Sequence, residues 1–137
     1  MTPPPDVYKL KANMDINGLI KAMGYLEDDL IRVGARARLS EIGAPAVGPL
    51  ISAINDKDFN IRINAIRALG EIRDSRAVDP LIGVLQSNVH PNLRYEAIGA
   101  LGKLKDKRAV GPLYVALDDK EKFIREAALD SLKLIAP

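Results

Sequence analysis

An all-α chain, an α-solenoid of four helical hairpins, is the fold class this sequence predicts. Three observations carry it. A five-residue segment recurs as Val-Gly-Pro-Leu-Ile at 47–51, Val-Asp-Pro-Leu-Ile at 78–82 and Val-Gly-Pro-Leu-Tyr at 110–114, with a weaker Ile-Asn-Gly-Leu-Ile at 16–20. Its leucines, Leu19, Leu50, Leu81 and Leu113, stand 31, 31 and 32 residues apart. Twelve or thirteen residues after each leucine comes an arginine behind an apolar residue: Ile31-Arg32, Ile61-Arg62, Leu93-Arg94 and Ile124-Arg125. Units of this length pack on their neighbours and stack into an elongated array.

Each element follows from local spacing. Residues 1–15 precede the array: Met1 to Asp6 holds three consecutive prolines and reads as an extended tail, and 7–14 as a short helix or a strap over the first unit. The array itself is expected over 16–137, in units of about 16–43, 47–72, 78–104 and 110–135. In the second unit Leu50, Ile51 and Ile54 share one side of a short helix. Asn55-Asp56-Lys57-Asp58 breaks the pattern with turn and N-cap residues. Ile61, Ala65, Ala68, Leu69 and Ile72 then return at helical spacing. Pro49, Pro80 and Pro112 precede the leucines and suit a first helical turn, where a missing N–H costs nothing.

A single hairpin cannot close its own core, so recurring apolar columns mark the contact between units. Counted from the arginine, the third residue is Ala35, Ala65, Ala97 or Ala128, and the seventh is Leu39, Leu69, Leu101 or Leu132. The tenth is Ile42, Ile72, Leu104 or Ile135. Asp74 and Asp106 are placed to cap the helix that follows them, and Lys103, Lys105 and Lys107 stand where a helix C-terminus favours cations.

Composition excludes several classes. Basic residues number 20 against 18 acidic, well mixed for a net charge of +2, with no basic stripe and six aromatics, so nucleic acid is not an expected partner. No apolar run is long enough for a bilayer, so no membrane is expected. The start lacks the basic and apolar run of a signal peptide, and cysteine is absent, which fits a cytoplasmic location.

The motif Ala-Val-x-Pro-Leu-Ile, an Asp-x-Asp before the apolar-Arg pair, and Ala-x-x-Ala-Leu-Gly-Glu-Ile-x-Asp-x-Arg-Ala resembles HEAT-like repeats of the phycobilisome-lyase type over about 16–137. The resemblance implies a right-handed stack of four HEAT-like hairpins, second helices on the concave face, and protein–protein binding. It also implies that Asp56 and Asp119 pair with Arg62 and Arg125, or with the neighbouring unit's arginine. Asn88 and Leu26 replace that aspartate in the third and first units, where the ladder is expected to be weaker.

On that reading the exposed columns of the second helices form the binding surface. One residue after the arginine are Val33, Ile63 and Tyr95, an apolar stripe flanked by Asn64, Arg67 and Glu96, with Asp130 at its edge. Apolar stripes with polar rims are typical of interfaces, and tyrosine and arginine of their anchors; the alternative is that the stripe widens the core. Arg36 stands where the other units carry Ile66, Ile98 and Leu129, and Arg38 where they carry Ala68, Ala100 and Ser131; both are expected to cap the outer side of the first unit. His90, the single histidine, lies in a turn with no cluster for zinc and no serine motif aimed at it. Asp28-Asp29 and Asp118-Asp119 also fall in turns and read as caps. The expectation is therefore a non-enzymatic interaction module without cofactor, with a protein partner and self-association both open. The alternative is an accessory or chaperone-type subunit of a modifying enzyme such as a bilin lyase.

Overall fold

The computed structural model describes residues 2–136, which form nine α-helices, two single 3-10 turns and no strand. The helices are α1 (Val7–Ala12), α2 (Ile16–Ala22), α3 (Asp29–Ile42), α4 (Ala44–Ala53), α5 (Phe59–Ile72), α6 (Val78–Gln86), α7 (Pro91–Leu104), α8 (Val110–Ala116) and α9 (Lys122–Ile135). Pairs α2–α3, α4–α5, α6–α7 and α8–α9 are the four hairpins, so the fold class is the one the repeat predicts. No helix among the described residues is long and apolar enough to cross a membrane.

Side-chain caps set most helix starts. Asp6 accepts from Lys9 N–H (3.1 Å), Asp15 from Gly18 (2.9 Å), Asp28 from Leu30 (2.8 Å) and Asp58 from Ile61 (3.1 Å). His90 caps α7 through Nδ1, which accepts from Asn92 N–H at 3.1 Å, while Pro91 supplies the first helical φ. Asp74 and Asp106 cap the 3-10 turns Ser75–Ala77 and Lys107–Ala109, which run directly into α6 and α8. Pro80 and Pro112 then sit in the first turns of those helices. Pro49 departs from the expectation and lies inside α4. The shorter link before it starts the helix at Ala44, after Gly43 at φ +74°, a conformation glycine takes without steric cost.

The chain divides into two compact units, Met1–Ala68 and Leu69–Pro137. In the N-terminal unit α1 packs on α2 and α3, and α2 packs on α3 and α4. Its core includes Leu19, Met23, Leu39, Leu50 and Ile66, all inaccessible to solvent. In the C-terminal unit α7 packs on α6 and α9, and α8 packs on α9, around Leu81, Leu93, Ile98, Leu101, Leu113 and Ile124. The third and seventh columns after the arginine are buried in all four hairpins. The tenth is buried only at Ile135; Ile42, Ile72 and Leu104 keep part of their surface.

Candidate functional site

In three of the four hairpins the recurring arginine ties the second helix to its own turn. Arg32 Nη1 donates to the Tyr25 carbonyl at 2.6 Å, Arg62 Nε to that of Ile54 at 2.9 Å, and Arg125 Nη1 to that of Asp119 at 2.7 Å. These carbonyls lie at or just beyond first-helix ends, where the backbone lacks intrahelical donors. The Asp56–Arg62 pair implied by the resemblance therefore does not form: Arg62 takes the carbonyl, and Asp56 accepts from Asp58 N–H at 2.8 Å. Asp119 takes the other course and pairs with Arg94 of the preceding hairpin, both side chains mostly covered. Burial works against its charge, but the Glu121 N–H and the Arg94 guanidinium outweigh it, holding the carboxyl below the ordinary carboxylate range.

A helix turns about 100° per residue, so columns counted from the arginine have fixed directions. The third, seventh and tenth residues point into the hairpin. The first, fifth and ninth point to solvent. Within each unit the fourth and eighth point toward the following hairpin, and the second and sixth toward the preceding one. Contacts within each unit bear this out. Arg36, at the fourth position, donates to Asn64 Oδ1, at the second position of the next hairpin, at 2.7 Å. Gly102, at the eighth position, lies so close to the sixth-position Ser131 that an added Cβ would stand 2.6 Å from its Oγ.

This corrects two expectations. Asn64 is not on an open surface: it is 5% exposed, held by Arg36 and by its own Nδ2 donating to the Asn60 carbonyl at 2.8 Å. Arg36 does not cap the outer side but faces the second hairpin. Arg38, at the sixth position, does face outward, where its guanidinium lies 4.8 Å from the Tyr8 ring centroid and 2.5 Å from Glu41 Oε1. Lys11 also reaches Glu41, at 2.6 Å. Lys11 and Arg38 together hold the Glu41 carboxyl below its ordinary range.

The remaining expected residues fall in two places. In the N-terminal unit Val33 is 48% exposed, while Ile63 and Arg67 are half-buried. In the C-terminal unit Tyr95 is 44% exposed and Asp130 is open, with Glu96 half-buried. Tyr95 packs on Phe123 with ring centroids 5.7 Å apart and tilted by 56°, an arrangement aromatic rings favour. Leu30 was missed by the sequence reading. It lies two residues before the arginine on the solvent side of α3 and is 78% exposed; reading the columns backward from Arg32 would have found it. A groove of about 1040 Å³ in the N-terminal unit lies apart from these rows, between α1, α2 and the Asp56–Asp58 turn, with Leu10, Ala22 and Ile61 among its lining.

Known proteins place the chain further. The family described as HEAT repeats matches residues 16–90 and 84–136. The bilin biosynthesis protein RpcF of Synechococcus sp. (strain WH8020) is 32% identical over 74 residues, which are 54% of this chain and 35% of that protein. The chain thus spans about a third of that curated relative. Among solved structures, the complex of CpcE and CpcF of phycocyanin lyase from Nostoc sp. PCC7120 aligns with a TM-score of 0.81 at 29% identity, over 91% of this chain and 81% of the matched one. Human deoxyhypusine hydroxylase in complex with glycerol aligns with a TM-score of 0.73 at 24% identity, over 88% of this chain and 43% of that one, a likeness of fold alone. The expectation of a non-enzymatic chain is overturned by the first two relatives, which belong to bilin biosynthesis and to a lyase. That expectation rested on missing nucleophile and metal motifs, which test for a self-contained active site and not for one built with a second subunit. With its repeats covered from residue 16 to 136, the chain belongs to the HEAT-repeat family.

Proposed function

We propose that this chain is a HEAT-repeat subunit of a bilin-lyase type of enzyme, working with a second protein subunit. The observation that carries this reading is the alignment with the phycocyanin lyase complex, which takes in most of both chains at 29% identity. The partial match to RpcF points the same way. This is the accessory-subunit reading that the sequence left as the alternative.

On this reading the chain's own residues bind and orient protein partners. Val33, Ile63 and Arg67 in the N-terminal unit, and Tyr95, Glu96 and Asp130 in the C-terminal unit, are the proposed contacts. Helical hairpins hold these side chains on rigid elements, so little ordering entropy is lost on association. Asn64 contributes indirectly, by accepting a hydrogen bond from the half-buried Arg36 beside that surface.

The test is substitution for a lyase subunit. The chain is co-expressed with CpcE, phycocyanin polypeptide and bilin in place of CpcF, and chromophore that survives a denaturing gel is measured. Covalent bilin above the level with CpcE alone is the expected result. A level no higher than CpcE alone, with no complex between the chain and CpcE on size-exclusion chromatography, rejects the reading.

A further inference from the structure

The solvent side of α3 differs from those of the other three second helices. At the positions two before, one after and five after the arginine it carries Leu30, Val33 and Ala37. The same positions hold Asn60, Ile63 and Arg67 on α5, Asn92, Tyr95 and Gly99 on α7, and Phe123, Glu126 and Asp130 on α9. Only on α3 are all three aliphatic or small, and Leu30 and Val33 keep 78% and 48% of their surface. Their spacing is i, i+3, i+7, the single row by which one helix presents itself to another. The core of the hairpin does not explain the row, because α3 already buries its opposite side through Ala35 and Leu39.

Charge narrows the occupant. Glu27, Asp28 and Asp29 follow one another at the N-terminal end of the row, all exposed. Arg32 pairs with Asp29 and Asp28 caps the helix, so three consecutive carboxylates carry a single side-chain ion pair, that of Asp29. A second copy of this chain fits poorly. Parallel packing of α3 on α3 would bring the acidic turns together. Antiparallel packing would set each against the far end of α3, where Arg38 is already committed to Glu41 and Tyr8.

We propose that the row Leu30, Val33 and Ala37 docks an amphipathic helix of a partner protein, whose basic end lies on the Glu27–Asp29 turn. This deepens the protein-partner part of the proposed function and rests on it. The helix would pack its apolar ridge along α3, with Ile63 of α5 as the flank of the same surface.

The experiment uses two labelled amphipathic peptides of about 20 residues, long enough to hold helix on a surface. They share one leucine ridge and differ only in ending with lysines or glutamates. Fluorescence anisotropy is read on the full chain, on Leu30→Asp and Val33→Asp, and on Leu129→Asp as a control at an exposed leucine of α9. Thermal melts confirm that the variants fold, as expected for side chains open to solvent. The lysine-ended peptide is expected to bind the full chain and the control equally, and at least about tenfold more weakly to either α3 variant. The glutamate-ended peptide should bind the full chain about tenfold more weakly than its counterpart. Equal binding to Leu30→Asp, no binding of either peptide, or a shared loss at Leu129→Asp overturns the proposal. So does a dimer of the full chain that Leu30→Asp dissolves, since a second copy would then be the occupant. The assay involves neither CpcE nor bilin, so its failure leaves the lyase reading standing, and failure of the lyase test leaves this result intact.

Discussion

The N-terminal and C-terminal units join adjacent hairpins by different chemistry at equivalent positions. In the first, the fourth residue after the arginine is Arg36, which reaches across to Asn64 at 2.7 Å. In the second it is Ile98, inaccessible to solvent, whose carbonyl accepts from Ser131 Oγ at 2.9 Å. There the helix backbones approach closely over Gly102, and Arg94 adds an ion pair to Asp119. One junction depends on a directional polar contact and the other on close packing with charge at its edge. The same repeat therefore tolerates a polar substitution only where the facing residue supplies its partner, because a buried polar group left unpaired is expensive.

The contrast can be broken at graded cost. Leu101→Ala removes a side chain buried on every side in the C-terminal unit, and a destabilisation of about 2–5 kcal/mol is expected in denaturant unfolding. Gly102→Ala comes next. Its Cβ would stand 2.6 Å from Ser131 Oγ and 3.3 Å from the Ser131 Cα, so backbone as well as side chain must move, and a loss of about 1–3 kcal/mol should appear. In the N-terminal unit, Arg36→Ala leaves the buried Asn64 oxygen without its donor and should cost about 1–2 kcal/mol. If Arg36→Ala is silent while Arg36→Ile stabilises, the polar junction is a burden and not a bond. Gly99→Ala runs the other way. Nothing lies within 4 Å of an added Cβ there, so better helix propensity should raise stability by about 0.5–1 kcal/mol.

The smallest effect is expected in acid. Arg76 and Arg108 hold the capping carboxyls of Asp74 and Asp106 at about 2, down from 3.8. A carboxyl depressed on folding favours the native state above its unfolded value, and that contribution disappears as pH falls through the folded one. The unfolding midpoint should therefore decline between about pH 4 and pH 2. Asp74→Asn with Asp106→Asn keeps both caps and removes both charges, and should flatten that decline. An unchanged slope would assign the acid response to other carboxylates.

The hairpins were legible because each recurs with the same spacing, so weak signals such as Ile16–Ile20 could be read against stronger copies. The third and seventh columns after the arginine were equally plain, since alanine and leucine repeat there in every unit. The candidate surface was legible only in part. Tyr95 and Val33 keep 44% and 48% of their surface, but Asn64 does not stay open: counting the second column after the arginine with the exposed face leaves out the preceding hairpin, whose Arg36 covers it. His90 was placed in the right turn, yet its cap needed the Asn92 N–H to be located in space.

The sequence by itself determined the all-helical class, the hairpin period and the side of each helix that enters its own hairpin. Those are local properties, fixed by 3.6-residue periodicity and by caps within a few residues. Only the tertiary structure decided which polar groups meet. Arg36 finds Asn64 at a separation of 28 residues and Arg94 finds Asp119 at 25, and neither pairing follows from local spacing. It also decided that Leu30 and Val33 remain open on α3, because exposure depends on what packs against a face and not on the residues that compose it.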